Sequence, residues 1–161
     1  MALEYDTTIV IDLPRDKVIE LFDNADNMPK WQKGLQSFEH LSGEPGQVGA
    51  KSKLVYLMGS RRLEMIETIT RRDLPDAFDG TYDVEGVHNV VENRFSELGP
   101  DRTLWESHNV FEMKSLVMKV MAFLMPGMFR KQSQKYAEDF KAFAEHGTDV
   151  RDALRAGGQS A

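Results

Sequence analysis

The stretch LPRDKVIELFDNADNMPKWQ, residues 13–32, carries helical spacing in a chain that reads as strand on both sides of it. Pro14 stands where a first helical turn tolerates its missing N–H, and Asp16 follows where the helix dipole favours an acid. Val18, Leu21 and Phe22 then share one face. The run DNADN ends that helix, and Met28, Pro29 and Trp31 form a second short one. Just before them, residues 3–12 place Leu3, Tyr5, Thr7, Ile9 and Ile11 on one side, as a half-buried strand does. A strand is thus followed at once by two tightly joined helices.

From residue 35 the period becomes two. LQSFEHLSG ends in GEPGQVG, whose glycines and Pro45 are turn chemistry. AKSKLVYLM and RRLEMIETITRR flank Gly59-Ser60, and glycine first in a two-residue loop predicts a type II′ hairpin. That register sets Tyr56 opposite Leu63, Leu54 opposite Met65 and Ser52 opposite Glu67, all on one face. FDGTYDV and NVVENRFSEL are joined by EGVH, and the last strand, RTLWESHNVFEM, follows a turn at Gly99-Pro100-Asp101. If Phe95 faces Trp105 and Asn93 faces Ser107, the other face pairs Arg94 with Glu106 and Glu92 with His108. Opposite charges across a strand pair mark a solvated face.

Residues 115–145 are helical in period, interrupted at Met125-Pro126-Gly127, with Phe129, Tyr136, Phe140 and Phe143 repeating on the second part. The pattern predicts one domain over residues 1–145 and a frayed tail over 146–161. The chain has 161 residues, 41% hydrophobic and 29% charged, which suits one globular domain. MALEYDTTIV does not read as a signal peptide, and the absence of cysteine suits a reducing cytoplasm, the expected location. The longest apolar run, VMAFLMPGMF, is broken by Pro126 and falls short of the roughly 20 residues of a membrane span. A net charge of −6 argues against nucleic acid as a partner.

A strongly bent antiparallel sheet with one solvated face must cover the other, and only the terminal helix is long enough. This order, with IDLPRDKVIELFDNADNMPKWQ at its head, GEPGQVGAKSKLVY in the middle and MFRKQSQKYAEDFKAFAE at its end, resembles the START-like superfamily. That group is also called SRPBCC, the polyketide cyclase/dehydrase and lipid-transport proteins. The resemblance implies an α+β helix-grip fold: a curved seven-stranded antiparallel sheet around a long C-terminal helix, with two short helices after the first strand. It also implies a deep cavity for a hydrophobic ligand, capped by those helices.

On the predicted inner face, Leu54, Tyr56, Met58 and Met65 are candidate ligand contacts. Glu67 lies among them; a carboxylate there is either an acid of raised pKa or a solvated group at the sheet rim, held by Ser52 or a lysine. The rim position is the expectation. Tyr82, Asn93, Ser107 and Asn109 share the face, either orienting a ligand or hydrogen-bonding one another. Trp105, Phe95 and Phe111 read as core or pocket wall, and Trp31 as the seal of the short helices onto the sheet. Met121 and Met125 belong to a methionine-rich tract that suits varied apolar shapes, a packing stripe, or a lid at the break.

The histidines are not at metal spacing, no nucleophile elbow supports Ser-His-Asp catalysis, and the loop at 43–49 lacks the Lys-Ser/Thr of a phosphate loop. No metal and no cofactor are expected. The leading reading is a binder of a lipid- or polyketide-like molecule. Its rivals are a polyketide-cyclase-type enzyme using Glu67 and Tyr82, and a protein- or membrane-surface module using residues 115–129. The cavity is expected to measure roughly 300–1,000 Å³.

Overall fold

The computed structural model describes residues 2–152. The elements run β1 (Ala2–Ile11), α1 (Arg15–Phe22), a 3-10 turn (Ala25–Asn27), α2 (Met28–Trp31), β2 (Leu35–Ser42), β3 (Lys51–Met58) and β4 (Arg61–Asp73). β5 (Ala77–Val84), β6 (Val87–Gly99), β7 (Arg102–Met113), α3 (Leu116–Leu124) and α4 (Gly127–His146) complete the order. The seven strands form one antiparallel sheet in the order β1-β7-β6-β5-β4-β3-β2. β1 and β2, consecutive in sequence, therefore lie at opposite edges. The two short helices carry the chain from one edge to the other, which is why they follow the first strand at once.

The β3–β4 register pairs Tyr56 with Leu63, Leu54 with Met65 and Ser52 with Glu67, as the hairpin reading requires. Gly59 has φ +64° and, among the described residues, only glycines take a positive φ, so Ser60 does not, which excludes a type I′ turn and leaves II′. The β6–β7 register likewise pairs Phe95 with Trp105 and Asn93 with Ser107. One expected connection is shorter: Val87 and His88 belong to β6, and the β5–β6 turn is Glu85-Gly86 alone. Val87 is buried and His88 Nδ1 contacts the Asp83 carboxylate, so both residues gain more in the ladder than in a loop.

On the outer face the charges face one another in register but bind elsewhere. Arg94 pairs with Asp79 of β5 rather than Glu106, and His108 with Asp6 (2.7 Å) and Glu4 (3.1 Å) of β1 rather than Glu92. Asp79 is a buried carboxylate that also accepts from the Asn93 backbone N–H. A buried charge needs its cation more than the exposed Glu106 does.

α4 runs along β1 in the same direction, tied to it at successive points. The Tyr5 hydroxyl donates to the Phe129 carbonyl (3.1 Å), Gln134 Nε2 to Thr8 O (3.2 Å), and Lys141 Nζ to Val10 O (2.6 Å). The helix is split as Pro126 predicts: α3 ends at Leu124, Met125 leaves the helical region (φ −131°, ψ 62°), and α4 starts at Gly127. α4 includes His146 and ends at Gly147, φ +69°. Of the expected tail, residues 148–152 carry an ordered contact of Arg151 with Asp149, and residues 153–161 lie outside the described residues.

Three buried clusters frame the interior. Ile11, Val18, Phe95, Trp105, Phe140 and Phe143 close the end under the short helices. Val87, Met113 and Ala122 close the opposite end under α3, and Leu35, Leu54 and Tyr56 fill the side towards β2. Between them the interior is hollow.

Candidate functional site

The hollow is a cavity of about 760 Å³ between the inner sheet face and α4. Alternation along each strand supplies its wall. β3 and β4 contribute Tyr56, Met58, Met65 and Glu67; β5, β6 and β7 contribute Tyr82, Asn93, Trp105, Ser107 and Asn109. Met121 reaches it from α3.

Two candidates do not line the cavity. Leu54 points inward but is fully buried in its cluster with Leu35 and Tyr56, against which Met28, Phe38 and Met65 pack. Its neighbours occupy the space it was expected to face. Met125 is exposed, because the backbone leaves the helix there and carries its side chain off the face shared by Met118 and Met121. Trp31, read as a seal, both packs in the aromatic cluster and borders the cavity.

Several wall residues escaped the sequence reading. Asn89 and Val91 follow from the alternation that places Asn93 and Phe95 inward. On α4 the apolar repeat was legible, but Gln132 and Ser133, one turn from Phe129 and Tyr136, face the cavity too. Phe22, at the end of α1, gives no such signal; its place depends on how the short helices fold over the sheet edge.

The polar wall groups divide into spent and available. Trp105 Nε1 donates to Asn93 Oδ1 (2.9 Å), and Asn93 Nδ2 donates to the Phe78 carbonyl (3.0 Å). Asn109 Nδ2 donates to Ser107 Oγ (3.2 Å), and the Tyr56 hydroxyl to Gln32 Oε1. Asn93 is thus a structural amide. Asn89 Oδ1 and Trp31 Nε1, by contrast, are buried without a partner among the described residues.

Glu67 and Tyr82 sit opposite each other on β4 and β5. Glu67 is only 8% exposed, which corrects the expectation of a solvated rim position. Nor does a lysine or Ser52 hold it: its polar neighbour is the Tyr82 phenol on the facing strand. Strand alternation brings it inward, and the long β4 carries it away from the rim. Burial raises the Glu67 pKa above the ordinary glutamate range, and the Tyr82 hydrogen bond opposes that rise. Burial first, and the facing carboxylate second, push the Tyr82 phenol well above its usual range. Among the described residues, no three histidine or acidic side chains cluster so as to hold a metal ion.

A raised folded-state pKa means that the stability tied to Glu67 is intact below the unfolded pKa and is lost as pH rises through the folded one. Glu67→Gln keeps an acceptor for Tyr82 and removes the buried charge. It is expected to stabilise the protein at neutral pH by roughly 1 kcal/mol, with the gain vanishing in acid. Thermal denaturation across that pH range checks both the sign and the disappearance.

A sheet curled around a C-terminal helix, with an apolar cavity between them, defines a helix-grip protein. The chain belongs to the polyketide cyclase / dehydrase and lipid transport family, whose family model matches residues 2–145. Among solved structures it is similar to the Zhui aromatase/cyclase from Streptomyces sp. R1128, with TM-score 0.76 and 12% identity, covering 90% of this chain and 94% of that one. It is similar also to a conserved protein from Geobacillus kaustophilus (TM-score 0.77, 15% identity, 91% and 97% covered). A third is truncated norcoclaurine synthase from Thalictrum flavum (TM-score 0.70, 12% identity, 91% and 95% covered). At these identities the likeness shows the fold alone. A search of curated proteins finds no match.

Proposed function

We propose that the protein binds a hydrophobic or amphipathic small molecule, lipid- or polyketide-like, in this cavity. The observation that carries the reading is the cavity itself. Its 760 Å³ lies inside the roughly 300–1,000 Å³ usual for ligand sites. Most of its wall is methionine, aromatic and aliphatic, with few polar groups left unspent. Methionines on the wall (Met28, Met58, Met65, Met118, Met121, Met128) adapt to varied apolar shapes. The ligand contacts proposed are Tyr56, Met58, Met65, Trp105 and Met121 for its apolar body, and Glu67 with Tyr82 for a polar end. Native mass spectrometry of protein purified without detergent tests the reading. An apolar molecule bound one to one is the expected result. An empty protein that also takes up no added apolar probe would refute it.

The Glu67–Tyr82 pair favours a second reading, acid–base catalysis of the polyketide-cyclase type. A buried carboxyl of raised pKa beside a phenol can hand a proton to, or take one from, a carbonyl compound held in the cavity. The same spectrometry on Glu67→Gln separates the two. A binder carries the same molecule in both forms, whereas an enzyme carries unconverted substrate in the variant.

A further inference from the structure

We propose that the outer face of α3 docks on a lipid bilayer that contains anionic lipids. α3 has two faces with different duties. Met118 and Met121 line the cavity and Ala122 is buried, while Leu116, Val117, Val120, Phe123 and Leu124 turn to solvent along the other side. Leu116 is 76% exposed, Phe123 75% and Leu124 69%, in a nine-residue helix with one charged residue. Contiguous exposed apolar surface of this kind marks an interaction site.

Charge identifies the partner. The chain as a whole carries −6, yet residues 113–137 contain no acidic residue. Lys114, Lys119, Arg130 and Lys131, all exposed, flank the apolar face. Valine, leucine and phenylalanine on the exposed face, with lysine and arginine beside them, are the composition of an interfacial helix lying in the headgroup region. Each basic residue near an anionic leaflet strengthens partitioning about fivefold. A second copy of the chain is the poorer occupant, since a two-fold contact through α3 would set one acid-free basic patch against another. No described helix is long and apolar enough to cross a membrane, so the contact is peripheral. Docked in this way, α3 places about one helix diameter, roughly 10 Å, between the bilayer and the cavity.

Flotation with vesicles of phosphatidylcholine alone, and with phosphatidylglycerol added, tests the proposal. The protein is expected to float with the phosphatidylglycerol vesicles and not with phosphatidylcholine alone. Phe123→Ser with Leu124→Ser, which leaves the core untouched, should lower the bound fraction at least about tenfold. Lys119→Glu with Arg130→Glu should do the same, and added salt should weaken the wild type. No flotation with the anionic vesicles, or flotation indifferent to the Phe123 and Leu124 changes, would overturn it. So would light scattering that shows a dimer abolished by those changes. A variant with its cavity filled, Val91→Trp, should still float, so the docking stands or falls separately from ligand binding.

Discussion

Phe140→Ala is expected to destabilise the protein by about 3–5 kcal/mol, among the largest losses a single truncation can give. Phe140 is fully buried on α4 and meets Trp31 at 5.1 Å, Trp105 at 5.4 Å and Phe22 at 6.0 Å between ring centroids. All three pairs meet edge-on, an arrangement their quadrupoles favour. The cluster joins all three parts of the fold: the short helices, the sheet and α4. It also borders the cavity through Phe22, Trp31 and Trp105, so truncation adds to an existing void, and neighbouring rings held by one another cannot collapse into it. Urea denaturation checks the figure. A loss below about 1 kcal/mol would mean that α4 is not held by this cluster.

Val91→Trp is expected to weaken uptake of an amphipathic probe such as anilinonaphthalene sulfonate at least tenfold, about 1.4 kcal/mol, while the fold survives. Val91 projects into the cavity from the centre of β6. Its register partner on β5 is Gly80, which offers no side chain to clash with an indole. Filling a void escapes the strain of overpacking, so the stability change should stay within about 1 kcal/mol. Fluorescence titration of the two proteins measures the first quantity and thermal melts the second. Unchanged uptake would move the probe, and the proposed ligand, out of the cavity.

The elements that read clearly in the sequence are those whose information is local. Gly59-Ser60 sets the hairpin, and from it the inward direction of Tyr56, Met65 and Glu67 follows by alternation. Pro126 breaks the terminal helix for an equally local reason. What alternation cannot tell is depth. Leu54 and Met65 share a face, yet one lies under its neighbours and the other on the cavity wall. Glu67 shares that face too, and only its distance from the sheet rim, which depends on how far β4 and β5 extend together, makes it buried. Ion pairing was hidden for a related reason. Arg94 faces Glu106 in the ladder, but the buried Asp79 on the other neighbouring strand outcompetes it. The amides were undecided because Asn93 and Asn89, four residues apart on one face of one strand, differ only in their partners: Trp105 Nε1 and the Phe78 carbonyl for one, none for the Oδ1 of the other.

Whether the cavity takes an apolar molecule is decided by methyl NMR of the methionines during addition of anilinonaphthalene sulfonate. Met65, Met118 and Met121 line the cavity, Met113 is packed in the core, and Met125 faces solvent. Binding in the cavity predicts shifts and probe contacts at Met65, Met118 and Met121, with Met125 unmoved, and their loss in Val91→Trp. Shifts confined to Met125, with the cavity methionines silent, would contradict an internal ligand site.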